Sequence, residues 1–314
     1  RSTIGDSAVG NSQTVKTFYS DSFPLPLPEG HRFPIGKYRL LRERLENGEL
    51  GRCLEIRPAD AATDAQLLLV HHADYLDKLR QGDLSELEQR RIGFPWSPEM
   101  LERALRSTGA ARAAARAALS DRMGIHLAGG THHAFPGHGQ GFCVFNDVAV
   151  AIRVLQSDNL IRRATIIDLD VHQGNGTAAI FADDSDVFTF SMHGQRNFPF
   201  AKCDGDLDIA LPDRTSDEVY LAALRDALKR LPLAEADIVF YLAGADCHEH
   251  DRYVRLSLTT RGLAERDRLV FQACRANDRP IALVMAGGYG KDLQEVVTIQ
   301  CNTIDALLQT YLGT

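Results

Sequence analysis

Asp170 and His172 stand two residues apart in the stretch DLDVHQGNG. On an extended strand that spacing puts both side chains on one face, where they can share a cation. Asp246, in LAGADCHEHD, leaves a separate apolar run and can close the set. Two carboxylates and one imidazole leave a coordination position open for water, as a catalytic zinc requires. Zinc lowers the pKa of such a water to about 7 and polarises a carbonyl. The competing reading is that an aspartate at a strand end only caps a helix or forms a turn; the three residues together favour metal. His248 and His250, close to Asp246, read as solvated loop histidines rather than ligands, and Cys247 as a spectator thiol.

A second group offers proton transfer. GGTHHAFPGHGQGF places His132 and His133 side by side in a glycine-rich turn, where the backbone can approach a substrate closely. A neutral imidazole beside an activated water can take its proton and later give one to a leaving amine, worth about 10²–10⁴ in rate. Adjacent histidines can equally be structural, or be metal ligands themselves. In MAGGYGKD, the phenol of Tyr289 can donate to the oxyanion of a tetrahedral intermediate, a contact whose loss costs about 10²–10³ in rate. An aromatic packed at a strand-to-helix turn is the alternative, and the paired Gly287 and Gly288 before it favour a site.

These residues need elements that bring them together. Short apolar runs alternate with longer helical patterns, the signature of βαβ units and a parallel sheet. Strands are predicted at 67–72, 124–129, 164–171, 186–193, 237–244 and 280–288, and helices at about 98–120, 146–157, 174–182, 215–231, 260–276 and 291–312. The proline-rich segment 20–36 reads as an ordered surface loop. His132 and His133, then Asp168, Asp170 and His172, then His193, Asp246 and Tyr289 all end a predicted strand or follow one. In open α/β sheets that edge binds ligands.

The chain of 314 residues, 44% apolar, can bury one large domain. A net charge of -7 and no basic run argue against a direct grip on nucleic acid. The six cysteines lie far apart with no C-x-x-C pair, which suits reduced thiols and a cytoplasmic setting. No stretch reaches the roughly 20 apolar residues that cross a bilayer, so no membrane partner is expected. Residues 1–15 read as a disordered or processed tail, and 16–314 as the catalytic domain.

GGTHHAFPGHGQGFCVFND, DLDVHQGNGT, LAGAD, RLSLTTRGLAERD and MAGGYG occur in this order and spacing, and the chain resembles the histone deacetylase family over about 18–312. With HRFPIGKYRLLRERL and IGFPWSP it looks most similar to the class IV-like and bacterial branch. The resemblance implies an arginase/deacetylase-like α/β fold, with an open parallel sheet of about eight strands and a narrow tunnel to one zinc ion. It implies zinc ligation by Asp170, His172 and Asp246, a catalytic pair of His132 and His133, support of His132 by Asp168, and oxyanion stabilisation by Tyr289. Proton shuttling would fall chiefly to His133. Gly141 and Phe142 would line an acyl-lysine tunnel, Phe198 would form its other wall, and Gly287 and Gly288 would border the substrate. The family often holds potassium beside the zinc, here through Asp168, Asp170, His172, Ser191 and Met192.

Asn175 stands where many relatives carry an aspartate behind the second histidine, and a neutral amide stabilises protonated His133 less. Tyr253 and Val254 replace a usual Leu-Gly, which implies an altered loop and puts the aim of Asp246 in question. The implied activity is hydrolysis of an acetyl or longer acyl amide on lysine in a peptide or protein. An acylated small amine such as an acetylpolyamine shares that chemistry, and a catalytically silent acyl-lysine-binding scaffold is the reading from another class.

Overall fold

A computed structural model describes residues 14–313. In chain order its elements are β1 (Val15–Tyr19), α1 (Gly36–Asn47), β2 (Leu54–Pro58), α2 (Asp64–Leu67), α3 (Ala73–Gln81), α4 (Glu86–Ile92), α5 (Pro98–Asp121) and β3 (Met123–His126). They continue with α6 (Asp147–Ser157), β4 (Ala164–Asp168), α7 (Asn175–Phe181), β5 (Val187–Gly194), β6 (Leu207–Leu211), α8 (Asp217–Leu228), β7 (Ile238–Leu242), α9 (Thr260–Ala276), β8 (Ile281–Val284) and α10 (Leu293–Leu312). One eight-stranded sheet runs in the order β2-β1-β3-β8-β7-β4-β5-β6. Every pairing is parallel.

A parallel sheet is covered on both faces, so its central strands are apolar throughout. Alternation within each strand then sorts side chains into two layers. Val239 and Tyr241 of β7 and Leu283 of β8 join one core with Leu41, Leu224, Phe271 and Ile304. Phe240, Leu242 and Val284 face the other way, among Ala111, Ala115, Val148 and Ile152 of α5 and α6. The register sets His126, Val284, Leu242, Asp168 and Ser191 in one row across the sheet. Loops that leave after this row therefore start at one level and share one rim.

Helix α5 begins where Ser97 accepts a hydrogen bond from the Met100 amide at 3.0 Å, with proline at the first helical position. Its alanines let it lie close to β3: a Cβ at Gly124 would overlap the carbonyl of Ala114. No helix among the described residues is long and apolar enough to cross a membrane.

The predicted strand at 67–72 is not one. Thr63 and Gln66 form a reciprocal capping box that starts α2, and the run beyond it coils through turns, with Leu67 buried and Leu68 and Leu69 exposed. A short apolar run does not distinguish strand from helix, and here the local cap decides. The strands β1, β2 and β6 and the helices α1 to α4 lie outside the predicted set. Residues 1–13 of the expected tail fall outside the described residues, while Val15 already belongs to β1.

Gly124→Ala should lower stability by roughly 1–3 kcal/mol, the usual cost of forcing atoms into a filled core. Urea unfolding measures it, and an unchanged midpoint would contradict the close α5–β3 contact.

Candidate active site

Asp170 and His172 leave the end of β4, and Asp246 sits in the 3-10 turn Ala245–Cys247 just past β7. His172 Nδ1 lies 2.8 Å from Asp170 Oδ1 and 3.2 Å from Asp246 Oδ2. Asp170 is also held by the Gly287 amide at 2.8 Å, and Asp246 Oδ1 by the Val171 amide at 3.0 Å. Asp246 Oδ2 is buried with no hydrogen-bond donor. A Cβ at Gly287 would overlap that oxygen, so only glycine lets this backbone pass the site. Burial and the charge of Asp170 push the Asp246 pKa up. Burial opposes charge on His172 too, but Asp170 and Asp246 hold its pKa up at about 10. Paired buried carboxylates thus demand a positive charge between them, and their donor set is one a metal ion accepts.

His132 and His133 lie against each other with ring centroids 4.1 Å apart and planes tilted by 46°. His132 Nδ1 donates to Asp168 Oδ2 at 2.6 Å; burial disfavours its cation, yet Asp168 and Asp170 raise its pKa to about 9. His133 Nδ1 donates to Asn175 Oδ1 at 2.8 Å, and Asn175 in turn donates to Gln140 at 3.2 Å. Burial, then the neighbouring His132 and His172, depress the His133 pKa well below the usual histidine value. The two rings therefore differ: one is held cationic, the other neutral with Nε2 free to accept a proton. Their loop is anchored by Asp147, which accepts from the Gly130 and Thr131 amides at 3.0 and 2.9 Å.

Tyr289 packs edge-on to His172, with centroids 6.2 Å apart, and burial and the two aspartates push its phenol pKa well up. It remains a proton donor. Phe198 meets His133 edge-on at 4.9 Å, while Phe142 lies 5.9 Å from Tyr289. Gly141 fits between them at φ +55, where a Cβ would come within 2.8 Å of His133 and 3.0 Å of Phe198. A cavity reaches His132, His133, Asp170, Gly287 and Tyr289 past Gly141 and Phe142. Gly288 is not part of its lining, and a Cβ there would meet Val296, Ala245 and Lys37. Ser191 pairs across the sheet with Asp168 and its hydroxyl meets His193 Nδ1 at 2.9 Å; Met192 is fully buried.

Residues 31–304 match the model of the histone deacetylase domain. The chain belongs to the histone deacetylase family. An uncharacterised protein of Picosynechococcus is 44% identical, covering 89% of this chain and 93% of its own. Histone deacetylase 2 of Arabidopsis thaliana is 28% identical over 94% of this chain and 80% of its own. The crystal structure of an HDAC homologue complexed with SAHA shares the fold, with a TM-score of 0.80 at 23% identity, covering 95% of this chain and 84% of that one. Membership of the histone deacetylase family makes the protein a hydrolase of the deacetylase type.

Within this deacetylase, several positioning residues lie in or near the quoted motifs but received no role of their own from the sequence. Arg266 of α9, fully buried, donates to the carbonyls of Leu169 and Gly244 at 3.2 and 2.6 Å, and pairs with Asp267 at 2.8 Å. It thereby holds together the two chain segments that carry Asp170 and Asp246. Asp251 accepts from the Tyr289 amide at 2.5 Å and from the Tyr253 amide at 2.9 Å. Lys37 of α1 donates to the Gly288 carbonyl at 3.1 Å. On a helix Arg266 looks like any solvated arginine, and only its partners reveal its task. Val254 is not among the described residues with positive φ, so a β-branched side chain is tolerated in the altered loop. Cys247 is buried with Sγ donating to the Leu169 carbonyl at 3.4 Å, and burial pushes its pKa well up, which leaves it inert.

Arg266→Met should cost about 3–5 kcal/mol, because Asp267 is left as a buried charge without its cation. Equilibrium unfolding in urea reads the change. A loss under about 1 kcal/mol would show that the guanidinium does not tie these segments.

Proposed function

We propose that this deacetylase hydrolyses N-acyl amides, with acyl-lysine in a peptide or protein as substrate and one zinc ion held by Asp170, His172 and Asp246. The observation that carries the reading is the buried Oδ2 of Asp246, without a donor and facing Asp170 and His172 beside a neutral histidine. Bound zinc supplies Lewis acidity to a carbonyl and to water.

The chain's own residues account for the rest of the chemistry. His133, neutral and with its tautomer set by Asn175, takes the proton of the attacking water at Nε2 and passes it to the departing amine. His132, kept cationic by Asp168, contributes positive charge beside the developing oxyanion. The Tyr289 phenol donates to that oxyanion. Phe142 and Phe198 enclose the methylene stem of lysine, with Gly141 between them and Gly287 and Gly288 bordering the acyl end. A potassium ion at Asp168, Asp170, His172, Ser191 and the Met192 backbone completes the reading. Unpaired cysteines suit a reducing compartment, and we assign the protein to the cytoplasm.

Chelated protein should lose turnover of acetyl-lysine peptides and regain it with zinc, and Tyr289→Phe should lower kcat about 10²–10³-fold with little change in KM. Turnover that persists without metal would refute the reading. Faster turnover of acetylated polyamines than of peptides would move the substrate to small amines.

Asn175→Asp provides a separate check. A carboxylate behind His133 stabilises its imidazolium and raises its pKa. Because the base must be neutral, the acidic limb of kcat/KM against pH should move to higher pH. A limb that stays in place would remove His133 from the role of base.

A further inference from the structure

A second set of metal-type donors lies apart from the triad. His248, His250 and Glu295 bring ligand atoms within 4.8 Å of one another. His248 follows the 3-10 turn that holds Asp246, and Glu295 lies in the first turn of α10. Nδ1 of His250 is 2.9 Å from Glu295 Oε1, and Nδ1 of His248 is 3.8 Å from Glu295 Oε2. Donors around tetrahedral zinc, with bonds near 2.0–2.1 Å, stand about 3.3 Å apart. The two observed separations fall on either side of that value, so small side-chain rotations complete the geometry.

The state of His248 supports the same conclusion. Its side chain is only 6% exposed, and Nε2 meets the Thr260 hydroxyl at 3.2 Å. With Nε2–H donating to that hydroxyl, Nδ1 carries a lone pair. Nδ1 meets only the His250 amide, in a long contact of 3.4 Å. A ligating histidine has this arrangement, one ring nitrogen fixed by a hydrogen bond and the other directed at the ion. His250, 65% exposed on its side chain, is free to swing in. An ordinary surface ion pair between His250 and Glu295 accounts for one contact. Beside that pair, the buried His248 keeps Nδ1, which accepts only the long bond from the His250 amide, 3.8 Å from the same carboxylate.

We propose that His248, His250 and Glu295 form a second metal site, for one divalent ion of the borderline class such as zinc or nickel. Two imidazoles and a carboxylate suit that class, whereas calcium and magnesium favour oxygen alone. The ion fastens the loop after Asp246 to α10. That loop is short and consequential: the Asp251 amide donates to the His248 carbonyl at 2.9 Å, and the Asp251 carboxylate holds the Tyr289 amide. The site shares no ligand with the Asp170 triad.

The test compares the intact chain with the double variant His250→Ala/Glu295→Gln after dialysis against low micromolar zinc. Bound metal is counted by inductively coupled plasma mass spectrometry. The natural chain should hold one zinc ion per chain more than the variant. Equal contents overturn the proposal. Only the difference is read, so an Asp170 triad that failed to bind would lower both totals alike and leave the comparison intact. Nickel gives a second readout: a rise in melting temperature with added nickel that the double variant loses supports the site, and an identical rise in both chains counts against it.

Discussion

Asp170 and Asp246 are carboxylates from different strands, buried side by side with His172 between them. Taking two like charges out of water is costly unless a cation and directed hydrogen bonds compensate. Much of the surrounding chain supplies that compensation. The Gly287 and Val171 amides each donate to a carboxylate, and His132 leans toward Asp170 with Nε2 3.9 Å from Oδ1. Gly287 has no side chain because the aspartate oxygens occupy the space one would need. The sheet makes this concentration of charge possible, since parallel strands end together on one rim and their loops bring polar groups to a single place.

In the same buried setting the two adjacent histidines shift in opposite directions, His132 up and His133 down. Both rings are buried in contact with each other, and desolvation opposes charge on each. What differs is the group behind each: a carboxylate for His132 and an amide for His133. At His132 desolvation is overcome by Asp168 and Asp170 together, whereas at His133 desolvation and the neighbouring His132 and His172 prevail over the bond to Asn175. A carboxylate behind one ring and an amide behind the other contribute to these opposite shifts. Tyr289 is raised by the same surroundings that lower His133, because burial penalises phenolate and imidazolium alike.

Stability and function meet at Arg266. Its guanidinium bonds the carbonyls of Leu169 and Gly244, one residue before Asp170 and two before Asp246. A cation buried beneath two metal-type ligands repels a bound ion only weakly, because Asp267 neutralises it, with Tyr241 and Thr303 donating to that carboxylate. The network fixes the backbone at the site without placing net charge in it. On the opposite side, Asp251 and Lys37 hold the N–H and the C=O of the peptide that joins Gly288 to Tyr289.

What the sequence by itself determined is the family, the residues with side chains able to do chemistry, and their order along the chain. Spacing paired Asp170 with His172, although both lie in a bend past β4 and not on an extended strand, glycines marked the loops of His132, His133 and Tyr289, and apolar runs located β3, β4, β5, β7 and β8. These signals are local, and local signals survive without a fold. The edge strands β2 and β6 are only partly buried and β1, between β2 and β3, carries Lys16 and Thr17 among its five residues, so their composition resembles that of loops, and the run at 67–72 matched a strand until the cap at Thr63 was taken into account. Only the tertiary structure decided that Asp246 meets Asp170 and His172, since the distance between strands depends on sheet order. It alone decided that Arg266 and Lys37 are buried, and that His248 and His250 converge on Glu295. A side chain's partners across the fold set its burial and its charge, and those partners are remote in sequence.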